Sequence, residues 1–197
     1  MSRPFPSGAV RRMVRIGAVL LLYLVATEPA RATILEKIEF DRLCQTSETI
    51  VVGKCAGKVC RWDRAHQTIL TVYSFTVSEA LKGQPTPTVE VVTLGGVIGT
   101  QGLGVAGSPS FRNDEEYVLF LERAPEGSWR CRGWTQGRYE VFLDPKANAK
   151  AVRGDTSGAA LLRKASGKLE EGGPGRPMSL STFLDTVRTE SAKGGPH

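Results

Sequence analysis

The sequence predicts a mainly β protein, a small barrel or sandwich of five or six short strands. The clearest strand lies at residues 69–77, where core-facing side chains recur with a period of two: Ile69, Thr71, Tyr73, Phe75 and Val77. Glycine and proline turns separate this strand from other short apolar runs, with little helical pattern between them. Residues 34–143 number about 110, enough to bury one core, in which we expect these side chains to meet: Ile50, Phe75, Val91 and Leu119.

The elements before residue 145 are predicted from local patterns. A short amphipathic helix is expected over residues 34–46, because three apolar side chains fall near helical spacing: Leu35, Ile38 and Leu43. The β-branched run at 49–53 predicts a buried strand that continues to residue 62, with bends or bulges at Gly53 and Gly57. The remaining predicted strands are residues 88–94, 117–121, 129–134 and 139–143.

The composition changes after residue 145. Residues 146–178 are rich in glycine, alanine, lysine and arginine with little periodicity, which predicts a flexible linker or loop, with a weak hairpin as the alternative. A C-terminal helix is predicted next, with an apolar stripe formed by Leu180, Phe183, Leu184 and Val187. The sequence therefore predicts a β domain at residues 33–145, a linker at 146–178, and a helix and tail at 179–197.

The first 32 residues have the organisation of a secretory signal peptide. A basic start is followed by an apolar run of 11 residues, Ile16 to Ala26, and then by Ala30-Arg31-Ala32, the small-x-small pattern of a cleavage site. A membrane-spanning helix needs roughly 20 apolar residues, so the run is too short for an anchor. We expect cleavage after Ala32, a periplasmic or secreted mature chain, and no membrane span once the signal is removed.

Much of the positive charge belongs to this first segment. The whole chain has a formal net charge of +6, and residues 1–32 hold five basic side chains and one acidic side chain. The mature chain would therefore carry a charge of only +2. A nucleic-acid partner is not expected, because such proteins present a strongly basic face.

The four cysteines of the chain all follow the predicted cleavage site: Cys44, Cys55, Cys60 and Cys131. An even number of cysteines in an exported protein predicts two disulfides, whose pairing the sequence does not decide among three connectivities. A metal site would need clustered ligands, but the nearest two cysteines are five residues apart and the only histidines are His66 and His197. No metal and no cofactor is expected.

Three segments of the sequence carry a family resemblance: residues 47–54, residues 73–83 and residues 115–121. Together they resemble a group of uncharacterised exported bacterial proteins and, more distantly, the OB-like barrel of netrin modules and tissue inhibitors of metalloproteinases. The resemblance covers residues 34–143 and implies an OB-like β-barrel of five or six strands. Those inhibitors bind zinc through an N-terminal cysteine, whereas here the first cysteine lies eleven residues after Thr33, so no site residue carries over.

The candidate binding surface is the glycine-rich segment from Gly95 to Phe111 with nearby aromatic residues. Its apolar side chains and two tryptophans are the candidate binding residues: Val97, Ile98, Leu103, Phe111, Trp62 and Trp134. The alternative is that the glycines serve tight turns and the aromatic residues fill the core. We predict a non-catalytic module that binds another exported or envelope protein. Three alternatives are an inhibitor of an exported protease or metalloprotease, a small envelope enzyme, and a structural part of an envelope assembly.

No catalytic residue is predicted. Asp63 and His66 lie in a polar turn, and the chain lacks a Gly-x-Ser-x-Gly nucleophile motif. The acidic residues at 114–116 directly precede a strand, where a solvated turn is expected. Arg153-Gly154-Asp155 matches a short integrin-binding motif, and a chance match in a segment of this composition is the expected explanation.

Overall fold

A computed structural model describes residues 33–194, which contain two α-helices, a short 3-10 turn and thirteen strands. The helices are α1 (Phe40–Thr46) and α2 (Leu180–Lys193), and the 3-10 turn is Trp134–Gly137. The strands are β1 (Thr33–Glu36), β2 (Thr49–Trp62), β3 (Ile69–Lys82), β4 (Thr88–Leu94), β5 (Gly96–Ile98), β6 (Gln101–Leu103), β7 (Glu116–Arg123), β8 (Trp129–Cys131), β9 (Arg138–Asp144), β10 (Ala149–Gly154), β11 (Ala159–Arg163), β12 (Lys168–Glu171) and β13 (Met178–Ser179). The prediction of a mainly β protein is confirmed.

Five strands form a closed ring. β2, β3 and β4 are consecutive antiparallel neighbours, β4 pairs in parallel with β8, and β7 closes the ring by pairing with both β8 and β2. The parallel contact is the shortest of these, with a single pair, Val91 opposite Trp129. From β7 the sheet continues through β9 and β10 to β13, while β1, β11 and β12 form a separate small sheet.

Strand β2 bends as it runs around the ring. Its pairing with β3 shifts register at three places: Ile50/Val51, Val52/Gly53 and Cys55/Gly57. Extra residues of this kind increase local twist and let a long strand curve. The bends predicted at Gly53 and Gly57 are confirmed.

Two hydrophobic clusters lie on opposite sides of the paired strands β2 and β7. The cluster inside the ring includes Val51, Phe75, Val91, Leu119 and Leu121. The cluster outside it lies beneath the helices and includes Ile50, Val52, Val118, Phe120 and Phe183. Ile50 therefore does not share a core with Phe75, Val91 and Leu119, because it points to the other face of β2.

The two predicted helices differ in how well their limits match the structure. The C-terminal helix is confirmed as α2, and Phe183, Leu184 and Val187 of its apolar stripe are buried. The N-terminal helix begins at Phe40 rather than at 34, because residues 33–36 form β1, paired in parallel with β11. Within residues 33–194 no helix is long and apolar enough to cross a membrane, and the predicted signal peptide lies outside the described residues.

Residues 146–178 are not the flexible linker that their composition predicts. They hold β10, β11 and β12, and β10 pairs along its length with β9. This pairing buries Ala151 and Val152, the second of which joins the cluster beneath the helices. The segment is ordered because long-range strand pairing compensates for its weak local pattern.

Truncation of Phe183 tests whether α2 covers the sheet. Its ring is 2% exposed and lies 4.8 Å from the Tyr139 ring and 5.3 Å from the Phe40 ring, measured between centroids. Phe183→Ala should lower the free energy of unfolding by about 3–5 kcal/mol in urea titrations, because it opens a cavity. The control Leu143→Ala, at a side chain that is 63% exposed, should change it by about 0.5 kcal/mol at most. Equal stability of the two variants would contradict the packing of α2.

Candidate functional site

One part of the ring presents apolar side chains to solvent. On the outer side of β2, β3 and β4, one cross-strand row runs Val59–Val72–Val92 and the next runs Arg61–Leu70–Leu94. Val59 is 68% exposed and Leu94 39% exposed, while the other three apolar side chains are half-buried. We call this set the bare face: Val59, Leu70, Val72, Val92 and Leu94.

A cleft of about 180 Å³ adjoins the bare face. It lies where β4 and β8 separate beyond the pair formed by Val91 and Trp129. Its walls are mainly apolar and come from β3, β4, β8, the 108–109 segment, the 124–128 loop and the 3-10 turn. They include Leu70, Val92, Pro109, Ala124, Cys131 and Trp134. Trp134 has a φ of 62°, in the left-handed region that large side chains seldom adopt.

The backbone of β4 faces the cleft at alternate residues. The Gly95 N–H donates to the Ile69 carbonyl of β3 at 2.8 Å. Because hydrogen-bonded pairs alternate along an antiparallel ladder, the backbone N–H and C=O groups of residues 91 and 93 point toward β3, and those of residues 92 and 94 point away from it. The Leu94 carbonyl accordingly accepts a hydrogen bond from the Ser108 hydroxyl on that outer edge, at 2.7 Å.

The backbone of β8 faces the same cleft from the other side. The Arg132 N–H donates to the Phe120 carbonyl of β7 at 2.9 Å, so the backbone of Cys131 is directed away from β7 and toward β4. The paired ladder does not extend to Thr93 and Cys131 within the described strands. The cleft is therefore a gap between two strand edges.

One arginine, Arg130, lines the cleft, and others lie close to it in β7 and after β8. Arg130 and Arg132 both pair with Glu122, the first at 3.0 Å. The Arg123 guanidinium lies 3.8 Å above the centre of the Trp129 ring, a cation–π contact. A hydrogen bond from the Ser128 hydroxyl lowers the pKa of Glu126, which Arg130 and Arg64 also stabilise as a carboxylate.

The glycine-rich segment contains a hairpin of β5 and β6 rather than a continuous loop. It covers the Cys60 end of β2, where the backbone of Gly96 has a φ of 142°. A Cβ there would lie 2.6 Å from the Thr71 Oγ1 and 2.8 Å from the Cys60 Sγ, so only glycine fits this approach. A groove of about 480 Å³ beneath the hairpin shares Leu94 and Pro109 with the cleft.

The structure divides the predicted binding residues among three environments. Val97 is 65% exposed on the hairpin, where Leu103 is also exposed and Ile98 is half-buried. Trp134 lines the cleft, and Trp62 is half-buried at the end of β2.

Phe111 is not a surface residue, contrary to its place in the predicted binding surface. It is 4% exposed and packs edge-to-face on Tyr73, Phe75 and Tyr117 inside the ring. The apolar ring interior, which excludes water from this aromatic group, is the physical reason for its burial. The end of the glycine-rich segment therefore anchors it to the core.

The four cysteines are free thiols in this structure, not the two predicted disulfides. Cys44 lies in the cluster beneath the helices, whereas Cys55 and Cys131 lie in the cluster inside the ring. Burial raises the pKa of Cys44 and of Cys131 to about 12 and also raises the pKa of Cys55. The half-buried Cys60 differs, because its hydrogen bond with the Thr71 hydroxyl lowers its pKa.

The side chains considered for catalysis have structural contacts instead. The Asp63 carboxylate accepts the backbone N–H of Gln67 at 2.7 Å and so closes its turn, in which His66 is exposed. Asp114 lies 3.0 Å from Lys54. Arg153, the first residue of the short integrin-binding match, belongs to β10 and lies 3.9 Å from Glu140. Between residues 33 and 194, no three metal-binding side chains converge.

Sequence reasoning missed the bare face. The signal was present in β3, because residues 69–73 are apolar or β-branched at outward as well as inward positions. A strand with one face on the core and the other exposed to solvent would have polar side chains at the positions of Leu70 and Val72.

Comparison of the chain with protein-family models, curated proteins and solved structures found no match in any of the three.

Thiol labelling tests the different environments of the cysteines. In the native protein at pH 8, a thiol-specific reagent should modify Cys60 first, because its thiolate is the most accessible and the most readily formed. Cys60→Ser should remove the fast phase, whereas Cys131→Ser should leave it unchanged. After unfolding without reductant, all four thiols should react. Retention of the fast phase in Cys60→Ser, or fewer reactive thiols after unfolding, would contradict these assignments.

Proposed function

We propose that this protein is an exported, non-catalytic module that binds another protein of the cell envelope or extracellular space. Its binding surface is the bare face together with the cleft beside it. The observation that carries this proposal is a two-row apolar surface on the outer side of the sheet, which the helices cover near Ile50 and which is polar at Ser74 and Glu90. Exposed apolar patches rimmed by polar side chains are typical of interaction sites.

The composition of the surface favours a protein as the partner. Its centre is aliphatic, Trp134 stands in the cleft, and arginines lie on the rim. Interfaces between proteins combine an apolar centre, enriched in aromatic residues and arginine, with a polar border. Export itself is supported by the N-terminal sequence of residues 1–32.

We further propose that the five-stranded ring is OB-like. Its strand number, its antiparallel meander and its closure through one parallel pair support this assignment. OB-folds bind ligands on the face of their second and third strands and with the loops after the first and fourth strands. The equivalent parts here are the β3–β4 face, the turn at 63–68 and the loop at 124–128, which border the bare face and the cleft.

A double substitution of the two most exposed aliphatic residues of the bare face tests the binding surface. Val59→Ser with Leu94→Ser should remove the enrichment of a specific envelope protein in affinity capture measured by quantitative mass spectrometry. The free energy of unfolding should change by about 1 kcal/mol or less, because both side chains are exposed. The loss would reflect removal of apolar area from the interface.

The matched control is Leu143→Ser with Leu169→Ser, two exposed aliphatic residues on β9 and β12. The control should capture the same protein as the natural chain. Undiminished capture by the Val59 and Leu94 variant would contradict the proposed surface, as would equal losses in both variants.

A further inference from the structure

The cleft has the chemistry of a site for an extended peptide. On one side are the outward-directed Val92 carbonyl and Leu94 N–H, and on the other is the backbone of Cys131. The Leu94 carbonyl already accepts the Ser108 hydroxyl. Between them the parallel ladder stops after one pair. Strand edges of this kind bind extended chains through main-chain hydrogen bonds, with pockets that accept alternate side chains.

The volume of the cleft suits one apolar side chain. Its space of about 180 Å³ compares with the roughly 150 Å³ of a cavity that accommodates benzene. Leu70, Ala124 and Trp134 provide apolar walls. A leucine-sized side chain would fill the cleft while its neighbours along the peptide, on the opposite side, remained in solvent.

The charges at one end of the bare face favour a carboxylate. Arg61 lies in the same row as Leu70 and Leu94, and Arg64 follows in the adjoining turn. Within residues 33–194, neither has a carboxylate within 4.0 Å, whereas Arg130 is paired with Glu122. Arg64 also helps to stabilise the Glu126 carboxylate, the one acidic side chain among the described residues that line the cleft. Asp63, the acid of that turn, already accepts the backbone N–H groups of Gln67 and Thr68.

Resting on the proposed function, we propose that the partner contributes an extended segment in which aliphatic and acidic side chains alternate. One aliphatic side chain enters the cleft, and the peptide backbone pairs with the Val92 carbonyl and the Leu94 N–H at the edge of β4. The positive charge of Arg61 and Arg64 attracts the carboxylates from across the bare face. Apolar burial provides affinity, and the arginines select for negative charge.

Fluorescence polarisation with labelled hexapeptides tests this proposal on the purified exported protein. The probes are alternating aspartate–leucine and lysine–leucine peptides, together with an aspartate–leucine peptide that is N-methylated along its backbone. The aspartate–leucine peptide should bind at least about tenfold more tightly than the other two, because they lack the carboxylates or the amide donors. Its affinity should fall as salt is raised.

Charge reversal provides the decisive comparison. Arg61→Glu with Arg64→Glu should reverse the preference toward the lysine–leucine peptide, while Arg176→Glu, an exposed arginine between β12 and β13, should leave it unchanged. Equal binding of all three peptides, or binding of none, would overturn this inference. The proposed function is tested separately by capture of the partner protein. If Val59→Ser with Leu94→Ser abolishes that capture, the proposed function holds even when the peptide inference is overturned. If capture persists in this variant, the proposed function fails as well.

Discussion

The first part of β2, from Thr49 to Gly53, and the paired part of β7 are buried on both faces, and the remaining elements are arranged around this constraint. In β7, Tyr117 and Leu119 point into the ring, while Val118 and Phe120 point toward the helices. Exposing either face would cost about 25 cal/mol for each Å² of apolar surface. The ring must therefore close on one side of this strand pair, and α1 and α2 must cover the other.

The same constraint explains why one outer surface remains apolar and open. The helices cover the outer side of β2 near Ile50 and Val52, and they reach β3 at its far end, where Lys82 donates to the Gln45 carbonyl at 2.7 Å. Beyond the bulge before Gly57, the outward side chains of β2 leave this cover, and Val59 is open to solvent. These apolar side chains, which the chain itself does not bury, form the surface that the proposed partner would cover.

Local patterns predicted the elements more successfully than their arrangement. The alternation in β3 and the stripe on α2 were sufficient to identify both, since each has one buried face. The run at 117–121 has no alternation because both faces are buried, so its sequence does not separate the two clusters. The pairing of β1 with β11, and the folding of residues 149–171, depend on partners distant in sequence. Among the predicted binding residues, Trp134 lines the cleft. Phe111 is equally apolar in the sequence but is buried in the core, and the sequence alone does not distinguish the two.

Solvent paramagnetic relaxation of methyl groups tests the central claim most directly, because it reports which aliphatic side chains meet water. With a soluble gadolinium probe and isoleucine, leucine and valine methyl labelling, the methyls of Val59 and Leu94 should relax strongly. The methyls of Ile50, Val52, Val118 and Leu119 should be protected, on both sides of the central strand pair. Strong relaxation at Ile50 and Val118, or protection at Val59 in the isolated protein, would contradict a sheet that is covered at one end and bare at the other.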